Sequence, residues 1–220
     1  MFSRLHPYRL EFFFFSQIAI LFGSIIMPLA VYESFVAPLL FIFNLLAGIL
    51  VISKKKYVSW FLSCLLTISS VILIIDLSKL ISYSAFSQIR MGIYFLFYVI
   101  LTYEIIKEVW QAKQINKGVI FGLISGYISL GLIGFFICLS IELTIPNSFS
   151  GVVMGTNNFN DGLLYYSYIT LSTIGYGDVL PVNAIAQKAA ILIGFMGQFY
   201  LAIVSAIVVG KYINQLTLKN

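Results

Sequence analysis

Thr170-Leu171-Ser172-Thr173-Ile174-Gly175-Tyr176-Gly177-Asp178-Val179-Leu180-Pro181-Val182 sets two glycines around one tyrosine, between an apolar aromatic stretch and a proline. The stretch before it, Leu163–Leu171, is apolar and aromatic but too short to cross a bilayer, which is the pattern of a re-entrant helix. Asn160 or Asp161 is placed to cap that helix by accepting from its free N–H groups. Non-helical backbone at membrane depth persists only where it is buried in protein or lines a water-filled cavity. Glycine suits such a backbone because it reaches positive φ cheaply and lets successive carbonyls point the same way.

Working outward, the chain of 220 residues is 60% hydrophobic and 10% charged, with a mean hydropathy of +1.01. Soluble domains carry about 25% charged residues, so the composition is that of an integral membrane protein and leaves no polar stretch for a separate soluble enzyme or sensor domain. The net charge of +5 and pI near 9.1 would suggest nucleic acid in a soluble protein. Here the bases lie between apolar runs and act as topology signals, so no nucleic-acid partner is expected.

A core about 30 Å thick needs about 20 helical residues. Uncharged runs at Phe12–Tyr32, Ser34–Ser53, Tyr57–Ile75, Val119–Ile141 and Ala189–Gly210 meet that length, the last extending back to Ala184. A sixth, from Met91, is interrupted by Glu104 and reaches spanning length only near Val109. The expected fold is an all-α membrane protein of six transmembrane helices. A re-entrant pore helix and filter loop separate the fifth and sixth, dividing the chain into a four-helix region, 1–110, and a pore region, 111–220. Arg4, Arg9, Lys54–Lys56, Lys107, Lys113, Lys117, Lys211 and Lys219 all fall on the side of the termini. Glu33, Asp76, Glu142, Asp161 and Asp178 fall opposite, with Lys79, Arg90 and Lys188 the only bases there. Both termini are therefore expected in the cytoplasm. The first run exceeds the usual hydrophobic region of a signal peptide, about 7–15 residues, and reads as a retained span.

Four copies of the glycine-flanked strand around an axis would stack rings of carbonyl oxygens that replace the water shell of a cation. At this point the sequence resembles the tetrameric potassium-channel pore family, whose filter reads Thr-Val-Gly-Tyr-Gly-Asp. Thr173-Ile174-Gly175-Tyr176-Gly177-Asp178 matches it with Ile for Val, and the likeness covers roughly 118–213. The resemblance implies K⁺ coordination by the carbonyls of Thr173, Ile174, Gly175 and Tyr176 and by the Thr173 hydroxyl, with Thr170 supporting the filter from its flank. It implies a homotetramer, since each chain supplies one filter strand. The short helix 160–171 would aim its C-terminal dipole, about half a negative charge, at the cavity. Where many relatives carry Trp-Trp, this chain has Tyr165-Tyr166, and a Tyr165 hydroxyl bonded to Asp178 would replace the Trp N–H brace. Interfacial anchoring is the other reading of the two tyrosines. Gly197 matches the family's gating hinge, and close packing is the alternative. Spacing by four places Gly197, Leu201, Ser205 and Val209 on one face, the expected cavity lining.

A voltage sensor needs several bases in the fourth helix, and between Arg90 and Lys107 there are none, so weak voltage dependence is expected. The stretch 104–117, with Glu104, Lys107 and Glu108, is read as an interfacial helix leading to the pore or as a solvated helix end. Only about ten residues follow Gly210, so no regulatory domain is expected there. Cys64 and Cys138 sit in apolar runs, and His6 has no partner cluster. No cofactor is implied beyond permeant K⁺, and the partners are other copies of the chain and membrane lipid. The expected function is passive, non-enzymatic K⁺ conduction. A poorly selective cation channel, a transporter and a non-conducting scaffold are the alternatives.

Overall fold

The computed structural model describes residues 8–28, 31–78, 84–152 and 159–217. Arg4, His6, Lys79 and Lys219 lie outside them, as do the side chains of Glu33 and Asp76. The chain divides into two compact units, Met1–Glu104 and Ile105–Asn220. The division falls inside a helix.

In the first unit, α1 (Arg9–Phe22) ends in a 3₁₀ turn, Gly23–Ile25. The unbroken span expected over Phe12–Tyr32 is therefore two pieces, because the Pro28 ring disfavours helix at the residue before it. The Tyr32 ring also lies over Gly23, where a Cβ would collide with it, and its hydroxyl donates to the Ile20 carbonyl. A π turn, Tyr32–Val36, leads into α2 (Ala37–Ile52). Then come α3 (Lys56–Ser78) and α4 (Ser84–Gln111), the latter running on into the second unit. The core of this unit holds Phe13, Leu45, Leu62, Phe97, Tyr98 and Leu101, all fully buried. Within it Asn44 Nδ2 donates to Ser16 Oγ at 2.7 Å, and the Tyr98 hydroxyl donates to Asn44 Oδ1 at 2.5 Å. Lys55 pairs with Glu104, joining the basic α2–α3 turn to the far end of α4.

The second unit contains α5 (Lys117–Thr144), α6 (Phe159–Leu171), α7 (Ala184–Phe199), a π turn at Tyr200–Val204 and α8 (Ser205–Thr217). Asn116 caps α5 by accepting from Val119 N at 3.0 Å, and Asn183 caps α7 by accepting from Ala186 N at 2.8 Å. Residues 112–116 are not helical, so of the two readings of 104–117 a continuous interfacial helix does not form. The first part of this stretch belongs to α4 and its last residue opens α5. The short strands β1 (Phe149–Ser150) and β2 (Leu180–Pro181) pair antiparallel and tie the two ends of the loop region together.

By length and composition, helices over Lys56–Ile75, Gln88–Gln111, Lys117–Thr144 and Ala184–Thr217 can cross a membrane, while Ala37–Ile52 is a shorter apolar helix. The described structure is that of a mostly helical membrane protein.

Candidate functional site: the loop after the short helix

Helix α6 packs against α5 through notches that glycine opens. A Cβ on Gly131 would collide with the Tyr168 ring and one on Gly134 with Ser167 Oγ. Both side chains use the close approach. The Tyr168 hydroxyl donates to the Ile128 carbonyl at 2.6 Å, and Ser167 Oγ donates to the Gly131 carbonyl at 2.7 Å. Gly126 makes a third notch for Tyr200, whose hydroxyl donates to the Leu123 carbonyl at 2.5 Å. The Tyr127 hydroxyl lies 3.3 Å from Ser172 Oγ and 3.4 Å from the Leu171 carbonyl, at the point where α6 ends.

Beyond α6 the backbone folds back on the helix it has just left. Ser172 N donates to Tyr168 O at 2.9 Å, Thr173 N to Thr170 O at 3.0 Å and Ile174 N to Ile169 O at 2.8 Å. Gly175 N shares the Ile169 carbonyl at 3.3 Å. Along the loop φ is positive at every second residue, +58° at Thr173, +56° at Gly175 and +83° at Gly177. Alternating handedness gathers successive N–H groups on one side of a chain and so turns the carbonyls to the other. Among the described residues, the carbonyls of Thr173, Ile174, Gly175 and Tyr176 accept no hydrogen bond. Ile174 and Tyr176 are exposed, and a Cβ on Gly175 or Gly177 would meet nothing within 4 Å. Conformation rather than space therefore demands glycine at these two positions.

Tyr165 and Asp178 come together, with the phenol donating to Asp178 Oδ2 at 2.7 Å. The hydrogen bond that the phenol donates to Asp178 holds Tyr165 above its ordinary pKa, since the bond is lost with the proton, and desolvation and the carboxylate's charge add to it. Tyr166 turns the other way, buried against the Phe149 ring at 5.1 Å. Asn160 and Asp161 do not cap α6. Both lie inside its first turn, where burial raises the Asp161 carboxyl above its usual value.

The expected face of the last helix needs correction. Gly197 is buried, and a Cβ there would land on the Leu171 backbone carbonyl, so it is a close-approach glycine against the end of α6. Leu201 and Val209 are exposed and Ser205 is half-buried. A π turn, which changes the angular spacing of side chains, lies between Gly197 and Ser205. The side packed within the unit carries Ile193, Gly197, Tyr200, Val204 and Val208. Gly197 therefore does not share a face with Leu201 and Val209.

Two residues of the site escaped the sequence reading. Glu142, counted there only as a topology charge, is 1% exposed and accepts from Asn147 N at 2.8 Å and Phe149 N at 3.0 Å, anchoring the turn before β1. Gln198 Nε2 lies 3.3 Å from Thr173 Oγ1. The signal for Gln198 was a single amide inside the uncharged run Ala189–Gly210, and for Glu142 a lone carboxylate at the end of an apolar helix.

In the second unit, then, a helix pair cradles a shorter helix and a loop of unbonded carbonyls. Residues 122–214, less than half of the chain, match the model of a family described as ion channel, and this likeness supports ion channel activity. No curated protein and no solved structure matches the chain.

Proposed function

We propose that the chain is one subunit of a homotetrameric, potassium-selective channel of the cell membrane, conducting passively through a filter formed by Thr173, Ile174, Gly175, Tyr176 and Gly177. The observation that carries this reading is the alternating φ of 173, 175 and 177, with the N–H groups of 173–175 bonded back to α6 and four consecutive carbonyls left unbonded. Such carbonyls in four copies replace the hydration shell of a large monovalent cation. Tyr165, bonded to Asp178, braces the outer end of the filter, and Thr170, whose carbonyl accepts from Thr173 N, supports the inner end.

In this reading the chain spans the membrane six times with both termini in the cytoplasm, and α6 re-enters from the outer side. The first-unit helices form a bundle without a basic ladder, so voltage has little grip on it. Leu201, Ser205 and Val209 line the cavity below the filter. The π turn that follows Gly197 is the flexing point of the inner helix.

Reconstituted channels under opposed K⁺ and Na⁺ solutions test the reading. A reversal potential set by K⁺, from a particle with the mass of four subunits, is the expected result. A reversal potential near zero would favour a poorly selective cation pore, and a conducting monomer or dimer would end the tetrameric reading.

A further inference from the structure

Gln198 sits near the middle of the helical stretch Ala184–Thr217, among the exposed apolar side chains Phe195, Phe199 and Leu201, and is itself exposed. An exposed amide at that depth is costly against hydrocarbon, and polar groups inside membranes face a water-filled cavity or other protein. Thr173 Oγ1 gives its one proton to the Ser172 carbonyl at 2.7 Å. It can therefore only accept from Gln198, which fixes the amide with Nε2 toward the hydroxyl and Oε1 away from it. Among the described residues, Gln198 Oε1 accepts no hydrogen bond. The Gln198 N–H fills one of the two acceptor positions of the Thr173 oxygen, leaving one for an ion.

Resting on the potassium-channel reading, we propose that Gln198 faces the ion path directly below the filter and is a specificity-determining residue of conduction. Its amide holds the Thr173 hydroxyl, and its carbonyl oxygen adds a polar ring where a cation exchanges cavity water for filter oxygens. Gly197, one residue earlier, faces the end of α6, so the two neighbours divide the tasks of packing and ion contact.

The test is charge reversal at this position in liposome-reconstituted channels, measured beside the wild type. Gln198→Glu is expected to keep K⁺ flux and to become at least tenfold more sensitive to Mg²⁺ on the cytoplasmic side, since four carboxylates around the axis concentrate divalent cations. Gln198→Lys is expected to abolish K⁺ flux while still assembling. A residue with only a packing role would respond alike to both signs, so equal effects of Glu and Lys, or wild-type flux in Gln198→Lys, would overturn the proposal. If neither charged variant assembles, Gln198→Cys with Cys64 and Cys138 replaced by Ser serves instead. Block by a cationic thiol reagent but not by an anionic one is expected, and indifference to both would overturn it. A wild type that conducts Na⁺ as well as K⁺ would sink the potassium reading alone, and the charge-sign dependence would still judge Gln198.

Discussion

The first unit holds a buried side-chain cluster, Asn44 between Ser16 and Tyr98, and a single hydroxyl seated over a glycine on a backbone carbonyl, Tyr32 on Ile20 beside Gly23, among the described residues. In the second unit three hydroxyls are held on backbone carbonyls in this way, Tyr168 on Ile128, Ser167 on Gly131 and Tyr200 on Leu123, each seated in a notch made by glycine. A side-chain cluster selects which helices pair but tolerates small shifts of backbone. A hydroxyl on a carbonyl, over a glycine that admits no Cβ, fixes backbone against backbone. The second arrangement suits the proposed filter, whose backbone carbonyls would contact the ion and so must be held within about 0.5 Å. Coverage differs in the same sense. Helix α5 has 67% of its most apolar window buried within the chain, whereas α3 has 22% and leaves its surface for lipid or other protein.

The contrast breaks most sharply at the loop glycines. Gly175→Ala or Gly177→Ala is expected to abolish K⁺ flux with expression retained, because left-handed backbone costs an L-residue about 1–2 kcal/mol in each of four chains. Normal selective flux in either variant would remove the filter assignment. Next in size is Gly197→Ala, whose Cβ meets the Leu171 backbone. It is expected to cost about 1–3 kcal/mol through overpacking, read as lower thermal stability of the detergent-solubilised protein. Gly194→Ala meets nothing within 4 Å and should be tolerated. Equal stability of the two variants would show that the approach of α7 to α6 is not fixed by Gly197.

Smaller effects separate the two units. Tyr165→Phe removes one hydroxyl and should shift the stability of the conducting filter by about 1 kcal/mol, visible as a change in open time or inactivation without loss of K⁺ preference. Gating unchanged there and also in Asp178→Asn would reject the brace. Tyr98→Phe should lower thermal stability by about 0.6–1 kcal/mol, the scale of hydrogen bonds between membrane helices, and leave selectivity untouched. Altered selectivity would mean that the first unit acts on the filter. Smallest of all is the response to voltage. Open probability should stay nearly flat from about −100 to about +100 mV for want of a basic ladder, and steep gating would reveal a sensor elsewhere.

The short helix and its loop were legible because two signals coincided, an apolar stretch too short to span and glycines at alternating positions. The expected helix over 160–171 is Phe159–Leu171. The expected runs Tyr57–Ile75 and Val119–Ile141 lie within three residues of the helices Lys56–Ser78 and Lys117–Thr144, whereas the runs from Met91 and to Gly210 fall seven residues short of Ser84 and Thr217, because polar helix ends carry no apolar signal. The break after Phe22 was not. The run from Phe12 to Tyr32 carries no charge, and a hydrophobicity reading passes over Gly23 and Pro28 unless backbone chemistry is weighed with it. The π turn at Tyr200–Val204 left no mark in composition, so spacing by four was extended through a segment that is not regular α-helix. The glycine notches of α5 were visible only as single glycines. Their meaning lies in Tyr168, Ser167 and Tyr200, far along the chain, and no local pattern pairs them.

The carbonyl oxygens of Thr173, Ile174, Gly175 and Tyr176 can be observed directly by solid-state nuclear magnetic resonance on carbonyl-labelled protein in lipid, exchanged between K⁺ and Na⁺. These four resonances are expected to shift with the ion, while the carbonyl of Ser150 in β1 stays in place. Resonances that do not respond to the ion in protein that still conducts K⁺ would contradict coordination by this loop.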